Sequence, residues 1–513
     1  MYTKNLIVAA CCFVFFALNS FAAKVYNTDL VVVGSGVAGI TAATYAAENG
    51  IKVVLLEKTA VIGGQLFLIE GTFAVESPIQ FADMVGLTKQ KAFKQTMDYA
   101  AWKTDASLVK RIIDNSAETI VWLQKKGVEM GALITDTPDG NRTYHTYKSG
   151  NPGKQFVDSM LKVLKANKTI ILTETKGEQF IVNPKGEVTG IKARDTANDE
   201  DIVVNAKAVV MATGSYAQNR EILLKYNPYY PADIHANGLK TNFGDGIVMG
   251  LAIGADVANM TTILSEGAVP TNTDYDELYT DRKMLQAYMV LKTKSLWVNK
   301  FGNRFMNEDL SGDFTVVQNA LVTNGHSQIV VMDAYYRDDL MKITGAHTNY
   351  FTLFGRGEKI DLFDEILADG IKRGYAWKAN TIEDLAKQMK INPATLKASV
   401  ERYNQLANTG EDSDFGKDSY LMRPLVKAPF YAFRGENTIC DTAGGLKINR
   451  NAQVLHTEGY PIKGLYAAGA VSGGMYGENY PYIMPGFASA SAINAGRFAV
   501  EHFAETFLNK KIK

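Results

Sequence analysis

The stretch Leu30–Glu57 constrains this chain more than any other. It opens with Leu30, Val31, Val32 and Val33, the short apolar run that a strand buried on both faces needs. Gly34, Gly36 and Gly39 follow at G-x-G-x-x-G spacing. A small-residue helix is predicted over Ile40–Glu48, then Gly50, then a second apolar strand, Val53–Leu56, ending at Glu57. Gly34 permits a tight turn, Gly36 lets backbone approach a pyrophosphate, and Gly39, beside Ala38, lets helix and strand pack closely. The helix start offers unpaired N–H groups and partial positive charge to phosphate. Glu57, about twenty residues on, is placed to accept hydrogen bonds from ribose hydroxyls, with Lys58 next to it. Glycines alone would make only a turn. In this order, with two strands, a helix and an acid, they predict a βαβ unit that holds a dinucleotide.

Residues 1–23 read as an export leader. Lys4 supplies the positive start, Leu6–Leu18 the apolar stretch, and Ser20, Phe21 and Ala22 a small-x-small cleavage site. The apolar stretch is short for a membrane span, so no span is expected once the leader is removed. Val8–Cys11 matches a lipobox only superficially, and with no twin arginine the general secretory route is expected. The 513 residues carry 54 acidic and 54 basic side chains, and this zero balance speaks against nucleic acid as a partner. Of three cysteines, Cys11 and Cys12 fall in the leader and Cys440 remains, so no internal disulfide is expected. No C-x-x-C-H offers haem attachment, and the six histidines show no metal-ligand spacing, so no metal site is expected. A redox protein of this kind would need an electron partner.

Further along, Gly63 and Gly64, followed by Gln65, would let a loop pass close to the cofactor, and Gly71 and Thr72 come shortly after. Residues 79–126 have helical spacing and read as a surface layer. Ile170–Leu172, Phe180–Val182, Val188–Ile191 and Ile202–Val204 read as strands. An apolar strand then runs from Val209 into Ala212, Thr213 and Gly214.

The fingerprint, the Gly63-Gly64 pair, Ala212-Thr213-Gly214 and Gly464–Gly469 stand in the order found in the fumarate reductase and succinate dehydrogenase flavoprotein family, which the chain resembles from about residue 28 to about residue 500. That family includes periplasmic fumarate and urocanate reductases and the ketosteroid dehydrogenases. The resemblance implies an α/β protein with a Rossmann-like FAD-binding domain and an inserted α+β cap. It gives a first FAD-binding part at 24–257, a cap at 258–424 and a second FAD-binding part at 425–513. FAD is the implied cofactor. Asp245, in a T-G-D-G-I-x-M-like element, joins the cofactor-binding candidates, as do Gly469, Ala488 and Ser489. Trp297–Glu308 resembles the family's L-V-N-x-x-G-x-R-F-x-N-E hairpin. The helix predicted from Gly486 would point its N-terminus at the flavin. Residues Gln65–Phe67 lack the histidine of covalently linked members, so non-covalent FAD is expected.

The resemblance also implies hydride transfer at a C=C or C–C bond, with a protein group handling the proton on the neighbouring carbon. Here the chain departs from fumarate reductases. Gly312 stands where their donor arginine would be. Glu266 and Asp441 replace clamp histidines, and Tyr480 replaces a clamp arginine. Carboxylates in a desolvated cleft repel a dianion, which argues against fumarate. Tyr480-Pro481 is similar to the Tyr-Pro-Gly of ketosteroid dehydrogenases, and Tyr480 is the catalytic candidate. Tyr476 and Tyr482 either pack beside the flavin or meet the substrate. Glu266 and Asp441 either cap backbone or line the pocket, where they would suit a cationic group. His145 is expected to be a satisfied surface histidine and Arg337 a structural ion-pair partner.

The sequence thus reads as an exported FAD oxidoreductase that reduces an activated C=C bond of a small non-fumarate substrate, fed by a cytochrome. A ketosteroid-type desaturase passing electrons to a quinone, and a flavin electron-transfer protein without turnover, stay open as alternatives.

Overall fold

The computed structural model describes residues 23–64, 69–135, 140–148, 150–342 and 359–512. The leader (but for Ala23) and Gln65 lie outside the described residues. The organising sheet has six strands, in the order Gln453–Leu455, Pro461–Ala467, Ala208–Met211, Leu30–Val33, Val53–Leu56 and Ile170–Leu172. All neighbours run parallel except the first pair. Val31 sits opposite Val54 on one side and Val209 on the other. Leu30–Val33, Val53–Leu56 and Ala208–Met211 are buried along their whole length, as the unbroken apolar runs require.

The fingerprint helix spans Val37–Glu48, starting three residues earlier than predicted because Gly36 is its extended N-cap. Its alanines and glycines allow the long C-terminal helix, Phe487–Leu508, to lie directly on it. A Cβ at Gly496 would stand 2.7 Å from the Ala38 carbonyl oxygen. A four-stranded sheet of Lys24–Asn27, Glu200–Asn205, Val188–Asp195 and Thr175–Val182 flanks this layer. The helical stretch 79–126 resolves into Pro78–Ala82, Lys89–Tyr99 and Ala106–Lys125. The last of these turns Leu108, Ile112, Ile113 and Leu123 into the main core rather than lying wholly at the surface.

The cap is built on a second sheet. Its central strand, Phe430–Asn437, pairs with Ala268–Pro270 and Ala376–Ala379 on one side and with Ser327–Met332 on the other, and Leu296–Val298 completes it. The sheet therefore reaches past residue 424. The two helices Ile382–Gln388 and Pro393–Thr409 cover one face, the second capped by Asn392. The family-like hairpin is fixed by Arg304, which bridges Glu308 and Asp412, at 2.8 Å to each, with both carboxylates fully buried. Arg337 pairs with Asp338 and Asp364 at the cap surface.

Candidate active site

A cavity of about 670 Å³ runs from the fingerprint to the seam between the two layers. Its first end is made by the strand ends of the parallel sheet, where ligands of doubly wound folds sit. Gly34 has φ +98°, and a Cβ there would stand 2.3 Å from the Ala212 carbonyl oxygen. A Cβ on Gly39 would be 1.8 Å from the Gly34 oxygen. Gly36 is different. It lines the cavity, and a Cβ there meets nothing within 4 Å. Two of the glycines close the fold, and the third leaves open a cradle beneath a helix N-terminus.

Glu57 is buried and aimed at the same cradle. Its Oε2 accepts from the Ser35 N–H (2.9 Å) and hydroxyl (2.6 Å), while Oε1 accepts from Thr59. The Gly63 N–H donates in turn to the Ser35 hydroxyl at 3.0 Å, tying the glycine pair to the turn without entering the cavity wall. Lys58 pairs with Asp245 at 2.6 Å and Lys176 with the same carboxylate at 3.5 Å. Ala38, Gly64, Gly71, Ala212, Thr213, Gly214, Gly469, Ala488 and Ser489 also line the cavity. Gly39 and Thr72 do not. Gly39 is consumed by packing, and Thr72 is fully buried in the strand Gly71–Phe73. An open glycine cradle, a buried acid and a helix N-terminus are what an adenine dinucleotide requires, and these residues would hold it.

The other end is aromatic and nearly uncharged. Tyr476, Tyr480 and Tyr482 form a chain of rings, with centroids 5.4 and 4.9 Å apart, and Phe314 continues it 5.1 Å from Tyr482. The Tyr480 hydroxyl accepts from the Ala488 N–H at 3.0 Å, in the first turn of the C-terminal helix. Its main-chain carbonyl accepts from the Thr315 hydroxyl at 2.9 Å, so the loop is held from both layers. Tyr482 donates to the Ser265 carbonyl at 3.2 Å. Burial pushes the Tyr476 phenol up to about 12, and that of Tyr482 well above its usual value. Asp441 and Glu266 both line the cavity, and Asp441 also accepts its neighbour Thr442 N–H at 2.9 Å.

Glu266 stands in a cluster that sequence reasoning missed. Its Oε2 accepts from Tyr279 (3.1 Å) and Tyr288 (3.2 Å), and its main-chain carbonyl accepts from the Lys292 ammonium. Lys292 is buried between the rings of Tyr288 (4.7 Å) and Phe314 (4.5 Å). Desolvation raises the Glu266 carboxyl and lowers the Lys292 ammonium, each opposed by the other's charge. Cys440, held high by burial and by Glu266, adds a thiol to the same wall. Nothing in the spacing of Tyr279, Tyr288 and Lys292 announced that they converge on Glu266.

His145 corrects an expectation. It is buried, 1% exposed, with Nδ1 against the Thr143 carbonyl at 2.9 Å and Nε2 against the Ser77 hydroxyl at 2.6 Å. The Thr143 carbonyl requires Nδ1 to donate, and burial lowers the ring's pKa to about 4, so a neutral ring accepts the Ser77 hydroxyl at Nε2. It sits in a strand whose side chains face the core, which is why a surface position was misjudged.

A glycine cradle opening onto an aromatic pocket defines an FAD-dependent oxidoreductase acting on carbon–carbon bonds. The chain belongs to the FAD binding domain family, whose model matches residues 29–482. It is 31% identical over 489 residues to the vinyl phenol reductase of Lactiplantibacillus plantarum, covering 94% of this chain and 98% of that one. The open conformation of a flavocytochrome c3 fumarate reductase superposes with a TM-score of 0.71 at 25% identity, over 94% of this chain and 78% of that one. A 3-ketosteroid dehydrogenase of Rhodococcus jostii shares the fold, with a TM-score of 0.74 at 23% identity, over 95% of this chain and 99% of that one. The chain spans about half the length of two larger NADH-linked relatives, an acrylate and a fumarate oxidoreductase. Among the described residues no helix is long and apolar enough to cross a membrane.

Proposed function

We propose that the protein reduces the activated C=C bond of a small aromatic substrate, of the vinylphenol or cinnamate kind, rather than a dicarboxylate. The observation that carries this reading is the distribution of charge in the cavity. Among the described residues its only lining cations are Lys58 and Lys176, and both are engaged by Asp245 at the dinucleotide end. A dianion at the other end would be desolvated with no lining cation to meet it, since the Lys292 ammonium is taken by the Glu266 main-chain carbonyl behind the wall, at a cost of several kcal/mol per ion (order of magnitude). A flat ring, by contrast, finds four aromatic side chains to stack on. Similarity to a vinyl phenol reductase over nearly the full length of both chains supports the same class.

FAD supplies a hydride to one carbon of the double bond. The chain's own residues do the rest. Tyr480, held at the helix start by the Ala488 N–H, presents a hydroxyl that can donate to a substrate oxygen. Tyr476, Tyr482 and Phe314 exclude water around the ring. Residues 1–23 support export, and the lack of a haem-attachment motif supports an outside electron donor, for which a cytochrome is the reading favoured here. The non-covalent state of FAD is part of the same proposal.

Rapid mixing of the dithionite-reduced protein with 4-vinylphenol, cinnamates, urocanate, acrylate and fumarate tests this. Fast flavin reoxidation by the aromatic alkenes and none by fumarate is expected. Equal or faster reoxidation by fumarate would overturn it. A second reading, a ketosteroid-type desaturase, is favoured by Tyr480-Pro481 and requires that a saturated ketosteroid bleach the oxidised flavin.

A further inference from the structure

Reducing a C=C bond needs a proton as well as a hydride, and the cavity wall offers several acids of unequal fitness. Glu57 is consumed by Ser35 and Thr59, and Asp245 is engaged by two lysines. Tyr476, Tyr482 and Cys440 are made weaker acids by burial. Glu266 is the carboxyl at the aromatic end whose surroundings favour its protonated form while it still faces the cavity. A cavity-facing carboxyl whose surroundings favour the neutral form is the better general acid, because it has a proton to give where the substrate lies.

The support behind it is built rather than incidental. Lys292 reaches the Glu266 carbonyl across Gly267, which has φ +68°, and a Cβ there would stand 2.4 Å from the ammonium nitrogen. Tyr279 and Tyr288 come from two successive helices, Tyr275–Thr280 and Arg282–Leu291, and converge on one carboxyl oxygen. Cys440 and Tyr482 face the same carboxyl from the other layer.

We propose that Glu266 is the acid that delivers the proton to the substrate carbon, and that Lys292, bonded to its main-chain carbonyl, is the positioning residue that holds it in place. This rests on the alkene-reductase reading above. The Glu266 O–H bond breaks as one C–H bond forms. The electron pair of the second C–H bond comes as hydride from reduced FAD. The carboxylate left behind accepts from the hydroxyls of Tyr279 and Tyr288 and lies in the field of the Lys292 ammonium, which holds the main-chain carbonyl of the same residue. Glu266 lines the cavity, so it recovers its proton from water once the product has left.

The test uses the oxidised, FAD-loaded protein and Glu266→Gln, an isosteric change, with flavin content reporting that the variant is folded. The infrared carbonyl band of a protonated carboxylic acid should be present in the wild type and lost in Glu266→Gln. It should titrate at higher pH in Lys292→Met, since a carboxyl that loses its cation binds its proton more tightly. With 4-vinylphenol as substrate, Glu266→Gln should lower kcat by about a hundredfold or more, and Lys292→Met should move the alkaline limb of kcat to higher pH. A band unaffected by Glu266→Gln, a loss below tenfold, or an unmoved limb would overturn the assignment. If the wild type reduces no alkene, the reaction reading fails, and the infrared titration still decides whether Glu266 carries a proton beside Lys292.

Discussion

The hydroxyl of Tyr480 receives the N–H of Ala488 at 3.0 Å, so a side chain of the aromatic pocket caps the helix whose first turn lines the cofactor cavity. One phenol thus touches both halves of the site.

Tyr480→Phe should lower turnover of an aromatic alkene by at least about tenfold, the low side of what a positioned donor contributes. Stopped-flow reoxidation of the reduced protein measures this. Unchanged turnover removes Tyr480 from the reaction and leaves it as a helix cap.

Gly36→Ala and Gly39→Ala should part company. The new methyl at 36 meets open space, so the protein should fold and purify with a sharply reduced flavin content. At 39 it would overlap the Gly34 oxygen at 1.8 Å, so folding itself should fail. Flavin absorbance and thermal unfolding of the two variants check the pair.

His145 gives the fold an acid-side weakness. Its pKa falls from 6.5 to about 4 on folding, so the unfolded chain binds more protons between those values. Stability is whole above pH 6.5 and falls as pH drops through this window, by up to about 3 kcal/mol. Chemical denaturation at stepped pH should show the slope, and His145→Asn should flatten it.

Arg304→Met strands Glu308 and Asp412, both fully buried, in the hairpin of the cap. Removing one partner of such a cluster costs about 3–5 kcal/mol. A lower midpoint of unfolding with flavin content retained at low temperature is expected. An unchanged midpoint would mean that Lys417, 3.3 Å from Glu308, suffices alone.

Much of the dinucleotide end was legible in the sequence because its demands are local. Leu30–Val33 must be buried, Gly34 must turn and Gly39 must pack, and each requirement names a residue type at a fixed spacing. The aromatic end was legible only in part. Tyr476, Tyr480 and Tyr482 share one loop and could be seen together, whereas Lys292, Tyr279 and Tyr288 reach Glu266 through the folding of the cap, which no period records. The pairing of Phe430–Asn437 with Ala268–Pro270 was illegible for the same reason. A strand that closes a sheet begun at Ala268 looks, by its own residues, like the start of whatever follows.

That strand has a practical consequence. Between Asn437 and Asp441 stand only Thr438, Ile439 and Cys440, and on the way into the cap Ser265 leads directly to Glu266. The two crossings are stitched side by side, the Cys440 N–H to the Leu264 carbonyl at 3.0 Å and Ser265 to Asn437 at 3.2 Å. Anyone who would graft a foreign cap onto such a protein must cut both threads where Ser265, Glu266, Cys440 and Asp441 line the cavity. The cap is separable on paper, yet its stitching and the cavity wall are the same few residues.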